Sequence, residues 1–430
     1  MLLNFTFSNH KSFRGEASLS LVASSLSDEA SGLLSSEALP ANKKGLPSAV
    51  IYGPNAAGKS AIVSAFDTMR DHVLLSHRQG KPGGGVIRFP FALDEKALKL
   101  ISYFSIEFTI SSVRYSYEFS TDGKSYISES LYSLFNGRTS KLYERKGGDF
   151  SFGRSLKGQN KTISNLTRPN SLFLSAAAQN DHPQLLEIFK YFQDLIIGLN
   201  IAPLSSSLST KDKIDPRVIS FLTLIGTGIV DVSIKKTPVT PKAMEMQKEL
   251  RNVFKKFVGG EVEFPDDDDD KQRFELQLGH RSAEKKIKYL DISQESSGTI
   301  NLLNILTPIF DALDHGKLIV IDELDESLHT QAVEAVIALF SDPLINKNGA
   351  QLVCTVHDTN ILDSKFLRRD QIWFVNKDRE GKSELYPLSD IKLRKQDSRE
   401  RGYRQGRFGA VPHGSLESWL NYFHIERNVK

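Results

Sequence analysis

The residues Gly53-Pro54-Asn55-Ala56-Ala57-Gly58-Lys59-Ser60 spell G-x-x-x-x-G-K-[ST], and no other stretch constrains the fold of this chain as tightly. A loop of this kind cradles phosphates with its backbone N–H groups, which requires a strand before it and a helix after it. Both neighbours are legible. The apolar run Ala49 to Tyr52 precedes the loop, and Ile62, Phe66, Met69 and Val73 then recur at helical spacing on one face. Gly53 and Gly58 permit a tight backbone path that a side chain would block. Lys59 is placed to reach the β- and γ-phosphates, and the Ser60 hydroxyl to ligate Mg²⁺. The expected nucleotide contacts are therefore Gly53, Asn55, Ala56, Ala57, Gly58, Lys59 and Ser60, with ATP and Mg²⁺ as the ligands.

Two later segments complete a chemistry that a phosphate cradle alone lacks. The apolar run Leu318 to Ile321 ends in Asp322-Glu323, a buried strand terminating in two acids. The first is placed to hold the Mg²⁺ shell and the second to polarise an attacking water as general base. A second apolar run, Leu352 to Val356, ends in His357, whose imidazole is placed to hydrogen-bond the γ-phosphate. The plainer readings are an acidic helix cap for the acids and a structural histidine for the imidazole.

At 430 residues the chain is too long for one small core, so two or three lobes are expected. The net charge of +3 does not by itself call for a polyanion partner. The single cysteine, Cys354, lies in an apolar run and suits a reducing cytoplasm. No signal peptide, internal repeat or apolar stretch of membrane-spanning length is evident, so a cytoplasmic protein without membrane contact is expected. The reading divides the chain into an N-terminal half-core (1–100), an antiparallel β lobe (101–178), a helical lobe (179–290), a C-terminal half-core (291–390) and a basic tail (391–430). Alternation in Phe104 to Ile110 and Val113 to Phe119 gives the β lobe; Leu185, Ile188, Phe189 and Phe192, with a more polar run from Lys242 to Val258, give the helical one. The five aspartates from Asp266 to Asp270 read as a solvated loop tip. The tail carries Lys392, Arg394, Lys395, Arg399, Arg401, Arg404 and Arg407, which suits contact with nucleic acid or an acidic partner as well as it suits a solvated helix face.

The long interval between the phosphate loop and Asp322-Glu323 resembles the ABC-type ATPases, in which β and helical lobes are inserted into one α/β core. That resemblance implies an α/β fold, an ABC-type P-loop ATPase head with both lobes inserted, that converts ATP and water to ADP and phosphate. It gives Gln179, in Ser175-Ala176-Ala177-Ala178-Gln179-Asn180, the role of sensing Mg²⁺ and γ-phosphate, with Mg²⁺ held by Ser60, Asp322 and Gln179. It makes Glu323 and His357 the catalytic pair. Its signature motif corresponds to Glu295-Ser296-Ser297-Gly298-Thr299, which departs from the usual Leu-Ser-Gly-Gly-Gln but keeps a serine and a glycine at a helix start. Ser296 and Gly298 would then face the γ-phosphate held by a second subunit, and one copy of each motif per chain implies a head-to-tail homodimer or higher homo-oligomer.

The opening Phe5-Thr6-Phe7-Ser8-Asn9-His10-Lys11-Ser12-Phe13 resembles the SMC/RecF class, but without heptad arms. Nearer are the bacterial abortive-infection and overcoming-lysogenization-defect-like ATPases of the AbiL/RloA type. They are similar to this chain in Glu295-Ser296-Ser297-Gly298-Thr299, in Ile321-Asp322-Glu323-Leu324-Asp325-Glu326-Ser327-Leu328-His329, in Thr355-Val356-His357-Asp358-Thr359-Asn360 and in Arg401-Gly402-Tyr403-Arg404-Gln405-Gly406-Arg407-Phe408-Gly409-Ala410-Val411-Pro412. This resemblance implies an ATPase sensor and scaffold in anti-phage defence, acting on a separately encoded effector nuclease of the TOPRIM or HNH kind. The alternative is a DNA-repair or DNA-maintenance clamp of the RecF/SMC class.

Overall fold

The computed structural model describes residues 1–26, 28, 32–135, 137–198, 214–238, 245–246, 249, 272–394 and 397–411. Its chain divides into two compact units: residues 1–199, 311–325 and 332–430 form the first, residues 200–310 and 326–331 the second. No helix among the described residues is long and apolar enough to cross a membrane.

In the first unit, the alternating N-terminus becomes β1 (Leu2–His10) and β2 (Phe13–Ser20). They join β4 (Ser102–Ile110), β5 (Val113–Thr121), β6 (Tyr126–Phe135), β7 (Arg138–Lys146) and β8 (Asp149–Phe152) in one antiparallel sheet, ordered β2-β1-β4-β5-β6-β7-β8. The β lobe expected at 101–178 therefore includes residues 2–20, which the sequence reading assigns to the half-core. The cause is register: β1 lies against β4 with Phe5 opposite Ile106 and Phe7 opposite Phe104. That pairing buries a row of aromatic side chains and covers an edge that would otherwise be open.

The second sheet of this unit runs β16-β15-β3-β14-β13-β9. Its members are β3 (Ser48–Tyr52), β9 (Ile196–Gly198), β13 (Leu318–Ile321), β14 (Gln351–Thr355), β15 (Ile372–Lys377) and β16 (Ser383–Pro387). All neighbours are parallel except the β15–β16 hairpin. Residues 48–52, 318–321 and 351–355 are buried throughout, which is why these strands read as unbroken apolar runs rather than as alternation. Helices Lys59–Leu75 and Thr330–Ser341 supply the crossovers of an α/β fold. Helix Lys59–Leu75 buries Ile62, Phe66, Met69 and Val73, with Phe66 stacked on Phe5 at 3.8 Å between centroids. Fully burying one such side chain contributes about 1.5–3 kcal/mol.

Glu129 of β6 is completely buried. Its carboxylate accepts hydrogen bonds from the hydroxyls of Tyr117 (3.1 Å) and Tyr143 (2.8 Å) and from the backbone N–H groups of Phe173 (2.6 Å) and Leu174 (3.0 Å). Those two N–H groups open helix Phe173–Gln179, whose first turn offers no side-chain cap of its own, so a strand residue anchors the helix that ends in Gln179.

In the second unit, helix Pro216–Leu224 starts with Asp215 as cap and proline at its first position. β10 (Ile229–Pro238), β11 (Gln272–Arg281) and β12 (Ile287–Asp291) form an antiparallel meander. The region expected as a helical lobe, 179–290, is thus partly sheet. Its first amphipathic stretch, helix Leu185–Gln193, belongs to the first unit. Ile229, Leu276 and Leu278 are buried, and their apolar period of two escapes notice among the lysines of β10 and the polar residues of β11. The expected helix at 242–258 lies almost wholly, and the aspartate run entirely, outside the described residues.

The segment expected as a basic tail is docked over its described part. Tyr403 of helix Arg399–Arg404 stacks on Phe374 of β15 at 5.4 Å, and Tyr386 donates to the Phe408 carbonyl at 2.7 Å. These aromatic contacts fix its place together with Arg399, whose Nη1 donates to the Leu367 carbonyl at 2.8 Å, and Ser398, whose hydroxyl donates to Asp363 at 2.7 Å.

Candidate functional site

β3 ends at Tyr52, and the chain turns through 53–58 into helix Lys59–Leu75, the arrangement required of a phosphate loop. Ala56 stands at φ 61° and Gly58 at φ 120°, so the loop curls in the left-handed region. A Cβ on Gly53 would lie 2.5 Å from the Val375 carbonyl oxygen, and one on Gly58 would meet the Ser383 and Ser12 hydroxyls at 2.5 and 2.7 Å. Close approach therefore demands both glycines, and at Gly58 the dihedral angle does so as well.

Lys59 is buried and donates from Nζ to the carbonyl of Gly53 at 2.7 Å. Burial lowers its pKa from the ordinary lysine value, against the opposing pull of Glu323, Asp322 and Asp325. Three carboxylates thus lie in the field of the Lys59 ammonium.

The sheet order places β14 between β3 and β13, so the loops after three adjacent parallel strands open at one end of the sheet. Ligands of such sheets settle at the carboxyl ends of the strands. A cleft of about 640 Å³ lies there, lined by Asn55, Ala56, Gly58, Lys59, Ser60, Glu323 and His357. Asp322, directly before Glu323, accepts from the Thr355 hydroxyl at 2.6 Å, and the Thr355 hydroxyl oxygen in turn accepts from the Glu323 N–H at 2.7 Å. Glu323 adopts φ 51°, a left-handed conformation that costs a non-glycine residue about 1–2 kcal/mol. The Thr355 bond, with Leu324 N–H donating to the Thr355 carbonyl at 2.9 Å, holds that turn in place. His357 Nε2 stands 3.5 Å from Glu323 Oε1, and both side chains are partly open to solvent.

Ser60 and Asp322 offer two hard oxygen donors, the kind of partial set Mg²⁺ takes from a protein when phosphates and waters fill the rest of its shell. Clusters of three or more histidine, cysteine, aspartate or glutamate side chains able to hold a metal do not occur among the described residues. Gln179 is exposed at the end of its helix and does not line the cleft.

Ser296 and Gly298 belong to the second unit. The Ser296 hydroxyl accepts from the Thr299 N–H at 3.1 Å, a cap at the start of helix Ser297–His315. A Cβ on Gly298 would lie 2.3 Å from the Ser327 carbonyl oxygen, so this glycine is also required by packing within its own unit.

Sequence reasoning missed Lys11, Ser12 and Lys377, which also line the cleft. Ser12 sits in the turn between β1 and β2, and its carbonyl accepts from the Ser383 N–H at 2.9 Å. Only the run Asn9-His10-Lys11-Ser12-Phe13 signalled it, as a resemblance without a role. Lys377, at the end of β15, follows a strand with no motif of its own.

A family described as "AAA domain, putative AbiEii toxin, Type IV TA system" matches residues 48–157 and 234–363, over half of the chain and inclusive of the phosphate loop, Asp322, Glu323 and His357. No curated protein matches the chain. Among solved structures, the SMC head domain from Thermotoga maritima is 14% identical, covering 91% of this chain and 99% of that one at a TM-score of 0.39. An SMC head bound to the C-winged helix domain of ScpA is 13% identical over the same shares, at a TM-score of 0.37. The family assignment rests on the matched residues alone.

Proposed function

The chain belongs to the AAA-domain family described as putative AbiEii toxins of type IV TA systems, and from that premise we propose a defence ATPase that controls a separate effector. The P-loop ATPase character comes with the family; sensing, the effector and the assembly are the proposal. One observation carries the catalytic part. The loops after β3, β14 and β13 bring the Lys59 cradle, His357 and Glu323 to a single cleft.

In this reading ATP lies along the 53–60 loop, with Lys59 turning from the Gly53 carbonyl to the β- and γ-phosphates. Ser60 and Asp322 would hold Mg²⁺, which neutralises phosphate charge when bound. Glu323 accepts a proton from the attacking water. His357, 3.5 Å from Glu323, sits where the γ-phosphate would be reported to the sheet. Ser296 and Gly298 act from a second copy, closing a head-to-tail dimer.

The family's description as a putative toxin of a type IV TA system supports a separately encoded partner. We take that partner to be a nuclease that the ATP-dependent dimer holds or releases. Calorimetry on Lys59→Ala tests the cleft: ATP binding should be lost, and unchanged affinity would refute the phosphate loop. Ser296→Arg should leave binding intact and prevent ATP-dependent dimerisation. Copurification from native cells with mass spectrometry tests the partner, and recovery of repair proteins in place of a nuclease or toxin would contradict a defence role.

A further inference from the structure

Asp325 lies two residues past Glu323 and outside the cleft lining, yet its carboxylate reaches across to the neighbouring strand's loop. Its Oδ2 accepts two backbone hydrogen bonds, from the N–H of His357 and from that of Asp358, each at 2.7 Å. In the opposite direction, Thr355 bonds Asp322 through its hydroxyl and receives the Glu323 N–H. Each strand end therefore sends one side chain to grip the other. The two contacts are reciprocal and close a ring around Glu323 and His357.

The second oxygen of Asp325, Oδ1, is buried without a hydrogen-bond partner. Leaving a carboxylate oxygen so is costly, which an ordinary surface acid would avoid by turning to water. The residue is held for its Oδ2 contacts. Charge-assisted bonds to backbone N–H groups are among the stronger hydrogen bonds available, and a pair of them fixes both position and direction.

We propose that Asp325 is a positioning residue for ATP hydrolysis: by holding the His357 and Asp358 N–H groups, it sets where the imidazole stands relative to Glu323. The inference rests on the ATPase reading of the cleft. Asp325 touches no reacting atom, so it acts on turnover and leaves nucleotide affinity alone. Misplacing a catalytic group by about an ångström lowers rates on the order of a hundredfold, so a partly freed loop should lose at least about tenfold.

The test uses the full chain with Asp325→Ala and Asp325→Asn. An asparagine carbonyl accepts the same two N–H groups, and its amide nitrogen replaces an oxygen that makes no bond. Asp325→Ala should lower kcat by about tenfold or more with the ATP Kd within about twofold, while Asp325→Asn stays within about threefold of the wild-type rate. Hydrogen exchange at the His357 and Asp358 amides should quicken in Asp325→Ala alone, a readout that survives any change in activity. Wild-type turnover in Asp325→Ala, or an asparagine variant as slow as the alanine one, overturns the assignment. Failure of the cleft reading is separate, since it appears as unchanged ATP affinity in Lys59→Ala.

Discussion

Replacing Glu129 by glutamine should be among the most damaging single changes in the first unit, although it alters one atom far from any motif. Four donors converge on this carboxylate: two tyrosine hydroxyls and two helix-opening N–H groups. The Arg145 guanidinium, also buried, approaches it at 3.8 Å. Glutamine keeps one acceptor oxygen and turns its NH₂ toward groups that themselves donate. At least one donor then loses its acceptor, and Arg145 loses its buried counter-charge. Breaking a buried ion pair by removing one partner costs about 3–5 kcal/mol. For a unit of about 310 residues each kcal/mol moves Tm by about 1.5 °C, so a fall of roughly 5–8 °C is expected. Arg145 retains its bonds to the carbonyls of Gly147, Ser171 and Pro169, so the fold should survive at low temperature with helix Phe173–Gln179 loosened. Differential scanning calorimetry of the purified variant decides the matter, with hydrogen exchange at Phe173 and Leu174 reporting the helix start. A variant within about 1 kcal/mol of wild type would refute the claim that this carboxylate anchors the helix.

Gly53→Ala would force its methyl group to 2.5 Å from a backbone carbonyl of β15, an overpacking penalty of about 1–3 kcal/mol. Thermal melting and ATP titration should both suffer, and normal values in both would contradict the close approach. The buried histidines predict acid sensitivity. Burial holds His10 down to about 3 and His72 down to about 4, whereas the unfolded chain takes up these protons near 6.5. The unfolded state therefore binds more protons between those limits, and stability present above pH 6.5 drains away as the pH falls toward 4. The slope approaches about 1.4 kcal/mol per pH unit for each histidine. Urea midpoints at pH 7 and pH 5 check it; equal midpoints would show the histidines do not titrate as described.

What the sequence disclosed, and what it hid, follows from how local each signal is. The phosphate loop, the strand ending in Asp322-Glu323 and the strand ending in His357 are contiguous runs, so their positions were legible and the structure gathers them at one sheet end. The core face of helix Lys59–Leu75 was equally plain from its 3.6-residue period. Hidden were the pairings between distant segments. Nothing in residues 2–10 announces that they lie beside 102–110, and nothing in Thr355 announces that its hydroxyl serves Asp322 and Glu323. The meander β10-β11-β12 was obscured by charged residues on its open face, and the docking of Tyr403 by the arginines around it. Lys11 and Ser12 reach the cleft from the β1–β2 turn and Lys377 from the end of β15, segments whose own sequences carry no phosphate-binding pattern.

The most direct measurement is ATP turnover and ATP affinity, taken together, on Glu323→Gln. A base that abstracts the water proton should be lost with its carboxylate, so hydrolysis should fall by on the order of a hundredfold or more while nucleotide binding holds. If that variant hydrolyses ATP at the wild-type rate, Glu323 is not the base and the chemistry assigned to this cleft is wrong.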